Sequence, residues 1–120
     1  MKKIWIEIPA NCSLDEGIKS LLISGSRLII VKSSPEKILG ILTEGDLLRS
    51  LSDHYMQIST LRLEIVANRN FLYVSNKDEF EKNIKTFISS NVLYVPVMDK
   101  NRNLLDVIDV NKWLIGKCDF

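Results

Sequence analysis

Apolar positions recur twice along this chain, about 66 residues apart. Trp5-Ile6-Glu7-Ile8 lines up with Phe71-Leu72-Tyr73-Val74, and Leu14, Ile18, Leu21 and Leu22 line up with Phe80, Ile84, Phe87 and Ile88. Ile38, Leu39, Ile41, Leu47 and Leu48 then match Leu104, Leu105, Val107, Trp113 and Leu114. Apolar positions persist while most polar ones differ, as expected of two halves that fold alike and bury the same faces. Between Ser24 and Pro35 the offset can also be read with a slip of one, since Pro96-Val97-Met98-Asp99 pairs with Ile29 to Lys32 as well.

Each half reads as strand, helix, strand, turn, strand, helix. Lys3 to Ile8 alternates as a strand, and Pro9-Ala10-Asn11 breaks it. Ser13 with Glu16 three residues on is a capping-box pattern, in which two orphan backbone donors are satisfied reciprocally. The helix it opens carries Leu14, Ile18, Leu21 and Leu22 as one stripe and ends at Gly25. Leu28 to Val31 is a continuous apolar run suited to a strand covered on both faces. Ser33-Ser34-Pro35 makes a turn, Ile38 to Leu42 the next strand, and Thr43-Glu44-Gly45-Asp46 starts a closing helix to about Leu51. The second half predicts a strand at Phe71–Val74, a helix from Asp78 to Ser89, strands Leu93–Val97 and Leu104–Ile108, and a helix from Val110. The polar stretch Ser52–Arg62 reads as a linker, giving repeats at 1–51 and 63–120 around a linker at 52–62.

Composition narrows the function more than the fold. Sixteen Lys and Arg against fifteen Asp and Glu give a formal charge of +1, with basic residues scattered. No field favours nucleic acid. No apolar run approaches the roughly 20 residues of a membrane span, and Glu7, Pro9 and Asn11 interrupt any signal-peptide pattern. Cys12 and Cys118 are therefore expected as two reduced thiols in a cytoplasmic protein. His54 is the only histidine, so no metal site is expected.

The sharpest local pattern is Gly40-Ile41-Leu42-Thr43-Glu44-Gly45-Asp46-Leu47-Leu48. A buried strand ends in a hydroxyl, and a carboxylate follows on the first helical turn, where free backbone N–H groups suit phosphate. Asp46 offers two oxygens that accept from both hydroxyls of a ribose, and Thr43 donates or accepts beside it. Gly40 and Gly45 leave the main chain open to a ligand. Thr-x-x-Asp ahead of an apolar run is also a capping box with no further role. In the second half Asp106, Asp109 and Lys112 stand at the places of Gly40, Thr43 and Asp46. Lysine accepts nothing from ribose hydroxyls, and Asp109 with Lys112 reads as an i,i+3 ion pair of about 0.2–0.5 kcal/mol. One ligand per chain is expected.

With these segments in view, the chain resembles a pair of cystathionine-β-synthase (CBS) domains. The resemblance rests on Ser13-Leu14-Asp15-Glu16-Gly17-Ile18, Arg27-Leu28-Ile29-Ile30-Val31 and Gly40 to Arg49, then on Val95-Pro96-Val97-Met98-Asp99 and Leu104 to Ile108. Thr-x-Gly-Asp is most similar to pairs attached to sugar-phosphate nucleotidyltransferases. The resemblance implies an α/β fold of two β-α-β-β-α repeats about a pseudo-twofold axis, with clefts that take adenosine nucleotides or related ligands. It puts Thr43 and Asp46 on ribose and phosphate, with Gly45 between them, and Ile41 beside the base. Leu72 and Val92-Leu93-Tyr94 supply the rest of the base pocket. Arg27 is a candidate phosphate partner and equally a solvated strand-edge residue. A homodimer is expected, as is a partner enzyme such as a nucleotidyltransferase.

Other residues read more simply. His54 and Tyr55 are surface residues of the linker, and Trp5 and Trp113 serve packing. Cys12 is either a small residue beside a cap or a thiol whose pKa the helix start lowers. No nucleophile elbow, Walker loop or paired catalytic carboxylates occur, so the chain is expected to be non-catalytic and without a bound cofactor of its own. The competing reading is a ligand-free dimerisation or docking module.

Overall fold

The computed structural model describes residues 4–117. Lys3, expected to open the first strand, and Cys118, expected as a second thiol, lie outside them. Two compact units, Met1–Phe71 and Leu72–Phe120, divide the chain.

The first unit opens with strand β1 (Trp5–Pro9), which pairs in parallel with β2 (Leu28–Ser34) after helix α1 (Leu14–Ser24). Ser13 caps α1 by accepting from Glu16 N at 3.1 Å. The reciprocal half of the expected box is diverted, because the Glu16 carboxylate meets the Cys12 thiol. Gly25 closes α1 in the left-handed region at φ 70°, its N–H bonded to Leu21 O at 3.0 Å. Strand β3 (Lys37–Thr43) runs antiparallel to β2 and forms the sheet edge in the order β1-β2-β3. Leu28, Ile29, Ile30 and Val31 are fully buried, as their unbroken apolar run requires. The turn falls at Pro35-Glu36, one residue later than expected, because β2 continues through Ser34.

Helix α2 (Glu44–His54) is one turn longer than its sequence pattern suggests, and a 3-10 turn (Tyr55–Gln57) follows. The stretch read as a linker is tied to the first unit by backbone hydrogen bonds. Leu14 N donates to Leu61 O at 2.7 Å, Asp15 N to Ile58 O at 2.8 Å, and Leu63 N to Cys12 O at 2.9 Å. Polarity misled here, because the main chain makes these contacts while Ile58, Leu61 and Leu63, set among polar neighbours, pack on the core. The short helix α3 (Leu63–Val66) then drops Leu63 into the core with Ile8, Leu14, Leu21, Ile29, Val31, Leu42 and Leu47. Beyond it Asn68 pairs with Ile41 on the free edge of β3, through bonds of 3.0 and 2.9 Å.

In the second unit the strand expected at Phe71–Val74 shrinks to one parallel bridge, Val74 to Val97. The expected single helix is two, α4 (Lys77–Lys82) and α5 (Ile84–Ser89), broken at Asn83. Strands β4 (Tyr94–Met98) and β5 (Leu104–Asp109) form an antiparallel hairpin, and α6 (Val110–Lys117) follows. In its turn Asn103 N and Asn101 N donate to the Asp99 carboxylate, at 2.9 Å each. These donors, Asn103 first, hold the Asp99 carboxyl below the usual range. Phe80 stacks on Phe87 and meets Trp113 edge to face, with centroids 5.4 and 5.3 Å apart. Trp113 is thus a packing residue, as its repeated position suggests.

The two hairpins share one register. Leu28 faces Thr43 and Tyr94 faces Asp109, Val31 faces Gly40 and Val97 faces Asp106, and Lys32 faces Ile38 and Met98 faces Leu104. The bulge follows Val31 in one and Val97 in the other. Every pair differs by 66, so the slip admitted from sequence does not occur. The Val74–Val97 bridge likewise repeats Ile8–Val31, and Asn91 (φ 56°) repeats the left-handed cap of Gly25 (φ 70°).

Candidate functional site

Strand β3 delivers Thr43 to the start of α2, where it closes a complete capping box with Asp46. Thr43 Oγ1 accepts from Asp46 N at 3.3 Å. Asp46 Oδ2 accepts from Thr43 N at 2.9 Å and from Thr43 Oγ1 at 3.0 Å. The remaining oxygen, Oδ1, is bound by the guanidinium of Arg49, one turn further along α2. Arg49 was not singled out from sequence, although an Asp and an Arg at i,i+3 in an exposed first turn are the signal for such a pair.

An ionised carboxylate has about four acceptor sites. Three are engaged, two of them on Oδ2 by Thr43, so a ribose can bring both hydroxyls to this carboxylate only at Oδ1, and only by displacing Arg49. Asp46 nonetheless remains reachable. Its side chain keeps 23% exposure and lines a surface hollow of about 270 Å³ with Arg49, Ser50, Asp53, His54, Ile65 and Val66. That is just below the roughly 300 Å³ at which small-molecule pockets begin, room for a sugar within this unit. His54 closes α2 and lines this hollow, where the sequence placed it in a linker.

The other expected ligand residues fall in both units. Ile41 is buried in β3, its N–H and carbonyl both committed to Asn68. Gly45 has no backbone against it: a methyl group there would make only ordinary contact, at 3.5 Å, with the Arg49 Nη1 of an exposed side chain. Gly40 is not open: its bare α-carbon makes room for the backbone of Asn68, not for a ligand. Arg27 is exposed and lies 3.6 Å from Glu44. It lines a different hollow, of about 560 Å³, with Leu21, Leu22, Leu47, Leu48 and Leu51, so Arg27 and Asp46 do not share a site in this unit. Leu72 is exposed in the second unit, outside any strand. Val92 packs on that unit's core, Leu93 is exposed with its carbonyl taking Val110 N at 3.0 Å, and Tyr94 opens β4 opposite Asp109.

At the matching helix start, Asp109 Oδ1 accepts from Lys112 N at 3.1 Å. The expected ion pair is replaced by a cap, since the backbone donor lies nearer to hand than the ammonium. Of the two readings of Cys12, the lowered thiol is not the one found. Burial first, then the hydrogen bond to Glu16 and its negative charge, push the thiol pKa up instead of down. Among the described residues no group of three His, Cys, Asp or Glu side chains is placed to hold a metal, and no helix is long and apolar enough to cross a membrane.

Comparison with solved structures gives the class: the fold is that of a CBS-domain pair. A CBS-domain-containing protein from Agrobacterium tumefaciens superposes with a TM-score of 0.79 at 15% identity, over 97% of this chain and 91% of that one. The CBS domain pair of protein MJ0100, in complex with 5'-methylthioadenosine and S-adenosyl-L-methionine, gives 0.76 at 19% identity over 97% and 94%. The cytosolic domain of the Mg2+ channel MgtE, in complex with ATP, gives 0.74 at 15% identity over 93% of this chain and 44% of that one. No family model and no curated protein matches the sequence.

Proposed function

We propose that this chain is a non-catalytic regulatory module that binds an adenosine nucleotide or a related ligand at the start of α2. Thr43 and Asp46 hold the ribose, with one site per chain. The observation that carries the reading is the hydroxyl–carboxylate pair of Thr43 and Asp46 at a strand-to-helix junction, with Asp46 lining an open hollow. The adenosine compounds and ATP held by two proteins of the same fold support the ligand class. Fold alone does not carry it. Regulation is by population shift, limited by the ligand's differential affinity for two states. The module works in the cytoplasm, on a partner enzyme.

A thermal-shift screen of AMP, ADP, ATP, GTP, S-adenosylmethionine and nucleotide sugars tests this. A true ligand at 100 times its Kd stabilises by about 2.7 kcal/mol. Asp46→Ala removes charge-assisted bonds of about 1.5–3 kcal/mol, so affinity drops tenfold to a hundredfold while the apo fold survives. No shift with any compound refutes the reading.

A second reading, a docking module that needs no ligand, is favoured by the apolar hollow between α1 and α2. Leu22 and Leu48 are 76% and 67% exposed there, more apolar surface than a lone helix pair needs to show. A second copy covering this face would make a homodimer, and both roles are compatible in one chain. Sedimentation of wild type against Leu48→Asp separates monomer from dimer.

A further inference from the structure

We propose that Arg49 makes the Thr43–Asp46 site selective for phosphorylated ligands. This rests on the ligand-binding reading above. In the structure the Arg49 guanidinium sits on Asp46 Oδ1 and covers Gly45, so it occupies the place a second ribose hydroxyl needs. Its side chain is 71% exposed and nothing in the core depends on it, so it is free to leave. A neutral sugar that displaces it exchanges a charge-assisted bond on Asp46 for its own hydroxyl bond and offers the released guanidinium nothing better than water. A ligand carrying phosphate displaces it and then binds it, through the planar fork that matches phosphate oxygens bidentately. Asp53, four residues on and lining the same hollow, is the competing partner for the released guanidinium. With the base N-terminal to the acid, that pairing has the weaker helical orientation. The contact that closes the empty site is therefore also the one that reads ligand charge.

Calorimetric titration of the full chain with AMP and with adenosine, in wild type, Arg49→Ala and Arg49→Lys, tests this. Wild type is expected to prefer AMP about tenfold or more, the scale of one charge-assisted hydrogen bond. In Arg49→Ala adenosine binds more tightly than in wild type, because its competitor is gone, and the preference for AMP falls to near one. Arg49→Lys keeps the charge without the fork and retains an intermediate preference. An AMP-to-adenosine ratio in Arg49→Ala equal to that of wild type overturns the role of Arg49 and leaves the nucleotide site standing. Failure of both compounds to bind wild type and Arg49→Ala alike overturns the site itself, and the inference with it.

Discussion

Gly40→Ala separates two explanations of the same glycine. A methyl group on Gly40 would stand 2.7 Å from the backbone oxygen of Asn68 and 3.1 Å from Ala67 Cβ. The first distance is below any tolerable contact, and backbone cannot rotate away as a side-chain tip can. Either the sheet edge and residues 67–68 separate, or the strain remains. Separation stretches the two hydrogen bonds joining Ile41 and Asn68, each worth about 1 kcal/mol net. Retained strain from an added methyl costs about 1–3 kcal/mol. The two routes are alternatives, so the expected loss is about 1–3 kcal/mol. Urea unfolding followed by tryptophan fluorescence should show the midpoint lower by about 1 M, given slopes of about 1–3 kcal/mol per molar. Amide exchange at Asn68 and Ile41 should accelerate ahead of the rest of β3. An unchanged midpoint with unchanged exchange, accompanied by loss of AMP binding, would show that the glycine serves a ligand and that the close approach of Asn68 is incidental.

Two further perturbations probe the same unit. Leu63→Ala empties a fully buried site that packs over Gly17 and Ile29, and is expected to cost about 2–5 kcal/mol in urea unfolding; a loss below 0.5 kcal/mol would mean that α3 is not part of this core. The Cys12 thiol should alkylate with a pH profile displaced above that of a free thiol, and Glu16→Ala should bring it part of the way back, burial being the larger cause. Because the folded value is raised, the associated stability is intact below the ordinary thiol range and is lost as pH climbs through the folded value. A profile at or below that of a free thiol refutes the assignment.

The hairpins were legible because their short apolar runs, such as Leu28 to Val31 and Ile38 to Leu42, are bounded by turn residues, as strands covered on both faces are. The same apolar patterning identified Leu14, Leu21, Phe80 and Phe87 as buried partners across the repeat, whereas Leu22 and Ile88, expected in the same buried stripes, are exposed. Less could be read where main chain does the work. Residues 58–63 hold α1 through carbonyls and N–H groups, which no side-chain pattern reports. The strand expected at Phe71–Val74 has the right residues, yet only Val74 reaches a partner. At the site, sequence supplied Thr43 and Asp46 but not their occupancy. An Asp in a first turn looks equally available whether or not an arginine three residues later has folded back onto it.

Comparison of the two helix starts shows why only one of them is a candidate. Both close a strand at the same register, and both must satisfy the N–H of the third helical residue. In the first unit a neutral hydroxyl does this, which leaves the carboxylate of Asp46 as a second group whose outer oxygen meets nothing but the mobile end of an exposed arginine. In the second unit the carboxylate of Asp109 is itself the cap, and the residue that could have carried a further acceptor is Lys112. The capping requirement is met in both with the same backbone geometry. What differs is the set of groups: the first start presents a hydroxyl and a carboxylate together, the second a carboxylate beside a lysine. A ligand hydroxyl would meet a hydroxyl and a carboxylate at the first start and a carboxylate beside a lysine at the second, so the divergence between repeats, not the fold they share, is what singles out the first as the candidate.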